Sequence, residues 1–189
     1  RVVFVRGRDL WAADVDGDGR EEVLAGSDDR HLYVLDDRGK IKWRRQFEKY
    51  VGTWDRYARN AEVSRIETAD LDGDGRREVL VAVSDRQLHC LDAEGKERWS
   101  FMIYGIFDPL CVADVNGDGR PEVVGGPGRI TCGGTCYVLD ADGKQVTSHA
   151  ADGWASMLPS CDVARMGDGV LVAAGTNRGT LYAFDPSKN

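Results

Sequence analysis

Hydrophobic and polar residues alternate along this chain in short runs that end at glycine, aspartate or serine. In one group, Val63–Asp70, Glu78–Ser84, Gln87–Asp92 and Glu97–Ile103 are rich in β-branched and aromatic residues, and each run is too short for a typical helix. The pattern predicts β-strands joined by tight turns. No run is apolar for the length that a membrane-spanning helix needs. We therefore expect an all-β fold without a membrane span.

A polar loop with the motif Asp-x-Asp/Asn-x-Asp-Gly-Arg-x-Glu occurs three times, each time between two of these hydrophobic runs. Oxygen-bearing side chains stand at alternate positions and at the end, the glycine permits a sharp bend, and the arginine offers its backbone carbonyl. Carboxylates this close repel one another without a cation, and calcium accepts about six to eight oxygen ligands in irregular geometry. We predict three Ca²⁺ sites. Their residues are Asp14, Asp16, Asp18, Arg20 and Glu22; Asp70, Asp72, Asp74, Arg76 and Glu78; and Asp114, Asn116, Asp118, Arg120 and Glu122.

An EF-hand begins in the same way, but it closes with a glutamate at loop position 12 and lies between two helices. Here that position holds Ala25, Val81 and Gly125. Each loop is followed by a short β-branched run, so a dockerin-like pair of helical loops is excluded as well. The sequence predicts that the cation lies in a β-hairpin.

The acidic motif followed by a hydrophobic strand resembles the FG-GAP or VCBS repeats of integrin alpha-chain heads and bacterial surface proteins. The later part of each unit, such as Leu32–Asp36 followed by Gly39, Lys40 and Trp43, resembles the repeats of quinoprotein-type propellers. These resemblances imply a calcium-binding β-propeller in an extracellular or periplasmic location, on a secreted or cell-surface protein.

The repeat length agrees with a propeller. The units begin at Asp14, Asp70 and Asp114 with a degenerate fourth at Asp162, a period of about 50 residues, which is typical of a four-stranded antiparallel blade. The fourth unit has lost its oxygen ligands and carries Arg165, so we expect no metal there. We predict one domain over residues 1–189, with repeats at about 7–48, 61–104, 105–149 and 155–189.

The two ends of the chain look complementary. Residues 1–6 have the place of an outermost strand, and Leu181–Pro186 is the third strand of the last unit. We expect four blades, the last one closed by the N-terminal strand. Two alternatives stay open, namely a homodimer of two half-rings and a segment taken from a longer propeller.

Aromatic and charged side chains gather in the connections between units, above all near residues 49–61. In the propeller families these connections lie on the face opposite the metal loops, where aromatic planes beside Arg and Asp suit a glycan or a protein partner. Packing of the central channel is the alternative role. The candidate ligand-binding residues are Trp54, Arg56, Tyr57, Arg59, Tyr104, Asp108 and Trp154. Trp43 and Trp99 recur at one repeat position, which indicates packing between blades.

The composition also limits the partners and the metal or disulfide sites that we expect. The net charge of -7 comes with no basic patch, so no nucleic-acid partner is expected. Five cysteines leave at least one unpaired; Cys132 and Cys136 could bridge a tight loop, whereas Cys90, Cys111 and Cys161 are expected to be buried thiols. The three histidines are scattered and are expected at surface or strand positions, because no pair has metal-ligand spacing.

Enzyme signatures are absent from the sequence. It has no Gly-x-Ser-x-Gly elbow, no phosphate-cradling glycine loop and no His-Glu-x-x-His. The sequence favours a noncatalytic, calcium-stabilised propeller that binds a glycan or a protein. The alternative is the propeller portion of a secreted polysaccharide-active enzyme, since rhamnogalacturonan lyases resemble this chain in their calcium-loop propellers, or a quinoprotein-like protein.

Overall fold

The computed structural model describes residues 7–48, 61–103, 105–128, 134–150, 157–166 and 169–188. These residues form fifteen β-strands in four antiparallel sheets, three of four strands and one of three. We call the sheets blades 1 to 4 in chain order. No helix in the described ranges is long and apolar enough to cross a membrane.

Each blade is a meander whose strands are hydrogen-bonded in chain order. Blade 1 contains β1 (Gly7–Ala13), β2 (Glu22–Ser27), β3 (His31–Leu35) and β4 (Ile41–Gln46). Blade 2 contains β5 (Val63–Ala69), β6 (Glu78–Val83), β7 (Gln87–Leu91) and β8 (Glu97–Met102). Blade 3 contains β9 (Phe107–Ala113), β10 (Glu122–Pro127), β11 (Thr135–Leu139) and β12 (Gln145–Ala150). Blade 4 contains β13 (Ser160–Met166), β14 (Gly169–Gly175) and β15 (Leu181–Phe184).

The predicted strands of the second unit are confirmed to within one residue at each end. The exclusion of an EF-hand is also confirmed, because a strand and not a helix follows each acidic loop. The predicted N-terminal strand, residues 1–6, lies outside the described residues. Closure of the last blade by that strand therefore stays a prediction.

The core lies between the blades, where apolar faces of neighbouring sheets meet. Blades 1 and 2 enclose Leu24, Val34 and Ile66, which are fully buried. The next two interfaces are built in the same way. Blades 2 and 3 share Leu80, Leu88, Phe107 and Val123, and blades 3 and 4 share Val124, Val138, Leu158 and Val172.

The first strands of the blades differ in exposure. β5 and β9 lie in the interior of the series; β5 is mostly buried and every residue of β9 is buried or half-buried, whereas β1 and β13 are mostly exposed. Leu10 on β1 is 67% exposed, and Met166 at the end of β13 is 63% exposed. The described residues thus form a series of blades with two open ends, and they do not show a closed ring.

The predicted role of the two repeated tryptophans is confirmed. Trp43 Nε1 donates to the carbonyl oxygen of Ala93 in the next blade at 2.8 Å, and Trp99 Nε1 donates to Ala141 at the same distance. Each indole lies against a turn glycine of that neighbouring blade, Gly95 or Gly143. Both tryptophans therefore join successive blades.

The alignment of the fourth unit is wrong. Asp162 lies inside β13, where it pairs with Ala173, and Met166 pairs with Gly169 at the end of the hairpin. Blade 4 thus has a tight β13–β14 connection in place of the long acidic loop. Asp162 is a strand residue that is not equivalent to Asp14.

Candidate metal centre

The first carboxylate of each acidic loop organises the backbone around it. Asp14 Oδ1 accepts hydrogen bonds from the backbone N–H groups of Gly17 and Asp18, at 2.8 and 3.1 Å. Its Oδ2 accepts from Gly19 at 2.9 Å. Gly17 and Gly19 both have positive φ, which glycine adopts without steric cost. The second loop repeats all three bonds at 2.7–3.1 Å, and the third loop repeats the two glycine bonds at 2.6 and 3.1 Å. The shared motif therefore gives the three loops a similar backbone shape.

The glutamate at the end of each loop is buried, and its side chain is hydrogen-bonded to the backbone at the start of the same loop. One oxygen of Glu22, Glu78 and Glu122 accepts from the backbone N–H of the second loop residue, at 3.0, 2.9 and 2.9 Å. Burial raises the pKa of Glu78 and of Glu122. The second oxygen of each glutamate is left for contacts on the inner side of the loop.

Carboxylates converge in the first two loops. Ligand oxygens of Asp14, Asp16 and Asp18 lie within 4.8 Å of one another. In the second loop the same holds for Asp70, Asp72 and Glu78. Oxygens around a Ca²⁺ ion lie about 2.3–2.6 Å from it, so donors at such mutual distances can share one ion.

One atom of the first loop lacks a partner. Asp16 Oδ1 is buried and accepts no hydrogen bond from any described atom. A buried oxygen without a donor is costly, and a cation would satisfy it. The donor set, carboxylates with backbone carbonyls, also matches the preference of a hard cation. The residues present therefore fit calcium.

Two of the three loops also have a basic side chain from the fourth strand of their own blade. Lys42 Nζ lies 2.5 Å from Asp16 Oδ2 and 3.0 Å from Glu22 Oε1. Its hydrogen bond is the main cause that lowers the pKa of Asp16, and Asp16 and Glu22 in turn raise the pKa of Lys42. In blade 2, Arg98 Nη1 lies 2.7 Å from Asp72 Oδ2 and also contacts Glu78.

The third loop differs from the other two. Val146 occupies the strand position of Lys42 and Arg98, opposite the register shift between the third and fourth strands. Asn116 Nδ2 takes over part of the contact, donating to Glu122 Oε1 at 2.9 Å and to Asp118 Oδ2 at 3.0 Å. In the described structure, no basic side chain is bonded to the position-3 and position-9 residues of this loop.

The arginines at position 7 of the first two loops form ion pairs outside their loops. Arg20 pairs with Asp37 and Arg76 with Glu94, both in the turn between the third and fourth strands. Their backbone N–H groups bond the position-5 carboxylates at 2.9 and 2.8 Å. All fifteen predicted metal residues thus lie in three equivalent loops at one end of the blades.

The predicted ligand-binding residues are mostly not described. Only Asp108 is, a half-buried residue of β9. Because the strands of each blade are antiparallel, the connections to the next blade leave from the end opposite the acidic loops. The other six predicted residues lie outside the described ranges, and these are Trp54, Arg56, Tyr57, Arg59, Tyr104 and Trp154.

The sequence reasoning missed a partly buried charged network between blades 1 and 2. His89 Nε2 lies 3.1 Å from Asp85 Oδ2, and its Nδ1 lies 2.9 Å from Glu97 Oε2. Arg45 of blade 1 bonds the same Glu97 oxygen at 2.9 Å. Burial lowers the pKa of His89, but the two carboxylates outweigh it and the pKa is raised. The partners come from three separated segments, namely residues 85–89, Glu97 and Arg45, so no local motif marks the whole network.

The comparisons with known proteins agree with this architecture. The family described as "Lambda-carrageenase beta-propeller domain" matches residues 4–53 and 52–126. No curated protein has a significant sequence match to the chain.

Solved structures share the fold at low sequence identity. The structure of BBS1N in complex with ARL6DN, soaked with mercury, is 16% identical with a TM-score of 0.67, covering 96% of this chain and 51% of that one. Sqt1 of Saccharomyces cerevisiae is 13% identical with a TM-score of 0.71, covering 97% and 46%. BamB from Moraxella catarrhalis is 16% identical with a TM-score of 0.55, covering 93% and 46%. The chain spans about half the length of these structures, and at such identities the likeness establishes the fold alone.

Proposed function

The chain belongs to the family of lambda-carrageenase β-propeller domains, and from that premise we propose that it is a calcium-stabilised, noncatalytic module that binds a glycan or a protein partner. The acidic loops carry the calcium part of this proposal. They recur at one end of three blades, and the first holds a buried oxygen, Asp16 Oδ1, with no donor among the described atoms. We assign them to the FG-GAP or VCBS type.

Calcium, when bound, would supply positive charge in the acidic loops, and in the first two of them three carboxylates already converge. The ligands of each site come from a single hairpin, so binding would stiffen that hairpin without requiring a partner. A ligand that binds only the folded state adds about 2.7 kcal/mol at a hundredfold excess over its dissociation constant. Several such sites would rival the whole net stability of a domain. Stabilisation is thus the proposed role of the ions.

We expect removal of calcium to lower the melting temperature by about 10 °C or more, because each kcal/mol shifts a domain of this size by about 2–4 °C. Calorimetric scans in excess chelator and in millimolar calcium would measure the difference, and titration calorimetry would count the sites. The double variant Asp14→Asn/Asp70→Asn should lose most of the response. Identical melting curves with and without the ion would reject the stabilising role.

Two comparisons favour different classes of binding partner. The family is named for a carrageenase, which favours a polysaccharide, while BBS1N was solved in complex with ARL6DN, which favours a protein. The aromatic connections opposite the acidic loops are the proposed binding face. The single domain over residues 1–189, the extracellular or periplasmic location and the homodimer stay predictions.

A second candidate function follows from the family name itself. The chain could be the propeller portion of a polysaccharide-active enzyme, with catalysis supplied elsewhere in that protein. Incubation with carrageenan and with a pectic polysaccharide distinguishes the two. The module retains the polymer without cleaving it, whereas an enzyme releases reducing ends, or ultraviolet-absorbing ends if it is a lyase.

In the same experiment Trp54→Ala should weaken polymer retention about tenfold, the cost of losing roughly 1.4 kcal/mol of aromatic contact. Affinity electrophoresis with immobilised carrageenan would measure the retention. Trp11→Ala, on the exposed first strand of blade 1, is the matched control and should retain normally. Equal retention of all three proteins would remove Trp54 from the binding face.

A further inference from the structure

Three cysteines meet at the interface between blades 3 and 4. Cys111 lies in β9, Cys136 in β11 and Cys161 in β13. The sulfurs of Cys111 and Cys161 are 3.7 Å apart. Both residues are half-buried, whereas Cys136 is only 1% exposed. The close pair is therefore the one that a reagent in solution can reach.

The packing holds these two side chains against each other. β9 and β13 are the first strands of adjacent blades and are in direct contact. Cys161 also approaches the carbonyl oxygen of Val124, the residue that pairs with Cys111 in the blade 3 sheet. Buried Val124, Leu158 and Val172 form the core around them. The pair thus lies in an ordered interface and not in a loose terminus.

We propose that Cys111 and Cys161 are a site of oxidative cross-linking, joined by a small disulfide oxidant such as oxidised glutathione into a bond that ties blade 3 to blade 4. One cysteine thiolate attacks the oxidant, forming a mixed disulfide and releasing one glutathione thiolate. The second cysteine thiolate then attacks the protein sulfur of that mixed disulfide and releases the other glutathione thiolate. The protein loses two electrons and two protons, and the oxidant is reduced to two thiols. The sulfurs close to about 2.05 Å.

This bond would lie at a blade interface that lacks a tryptophan contact of the kind made by Trp43 and Trp99. The ring of His149 on β12 packs there against Tyr182 and Phe184 of β15. Trp43 and Trp99 join the earlier blades, but the corresponding residue of β12 is Thr147. Blade 4 also has only three described strands. A covalent link there would add to the ring contacts of His149 in joining blade 3 to blade 4.

The experiment uses the full chain, incubated at mildly alkaline pH with oxidised glutathione or with dithiothreitol. We expect the oxidised protein to lose two hydrogen atoms in intact mass, and digestion to yield a peptide pair joining Cys111 and Cys161. The melting temperature should rise by about 5–10 °C, because the link closes a loop of about 50 residues in the unfolded chain.

Two cysteine variants test whether the mass change and the melting shift come from a bond between Cys111 and Cys161. Cys161→Ala should abolish the mass change and the melting shift, while Cys90→Ala, a buried thiol of blade 2, should retain both. Melting each variant in its reduced form separates a folding defect from loss of the bond. Oxidation that instead joins Cys132 to Cys136, or a protein whose mass stays unchanged, would overturn the proposal.

Discussion

Replacing Gly95 by alanine should lower the free energy of unfolding by about 3 kcal/mol, since the new methyl group would clash with an indole and also strain the turn. The added Cβ would lie 2.7 Å from Cε3 of Trp43, and the glycine has φ of +82°. Trp43 cannot move away freely, because its Nε1 is held by the carbonyl oxygen of Ala93. The substitution therefore tests the tryptophan contact that joins blades 1 and 2.

Gly39→Ala is a matched control, because Gly39 lies in the equivalent turn of blade 1, between β3 and β4. It has φ of +74°, but no atom lies within 4 Å of the added Cβ. Only the backbone strain of about 1 kcal/mol is expected there. Urea denaturation of both variants in calcium-containing buffer would measure the difference. Equal losses would show that the indole contributes nothing to the stability of the blade interface.

Arg98→Met should destabilise the calcium-free protein by about 2 kcal/mol and strengthen calcium binding at the second loop about tenfold. The first effect arises because Glu78, which is 3% exposed, would keep a buried charge without its guanidinium partner. The second arises because the guanidinium and the ion compete for the same oxygens of Asp72 and Glu78. Excess calcium should therefore reverse most of the stability loss.

The third loop supplies the reciprocal test. Val146→Lys would place an ammonium group where blade 1 has Lys42, and we expect it to weaken calcium binding at that loop alone. Titration calorimetry on the two variants and on the unaltered chain would resolve the separate sites. Unchanged affinities in both variants would show that the fourth-strand side chains do not compete with the ion.

The sequence by itself determined the strands, the acidic loops and the repeated tryptophan contacts. Each is encoded locally or by repetition. A strand can be predicted because hydrophobic and polar residues alternate over a few positions. An acidic loop can be predicted because its ligands lie on one contiguous segment. Trp43 and Trp99 were predictable because a position that recurs in every unit faces the same neighbour.

Only the tertiary structure decided the features whose partners come from different strands or blades. The sequence alignment placed Asp162 at the first position of a degenerate fourth loop, but the pairing of β13 with β14 puts it inside a strand. Nothing local connects Lys42 to Asp16, or Cys111 to Cys161, which are 50 positions apart in the sequence. Such contacts depend on strand register and on which blade faces are covered. Those are set by packing over the whole chain, and no short pattern encodes them.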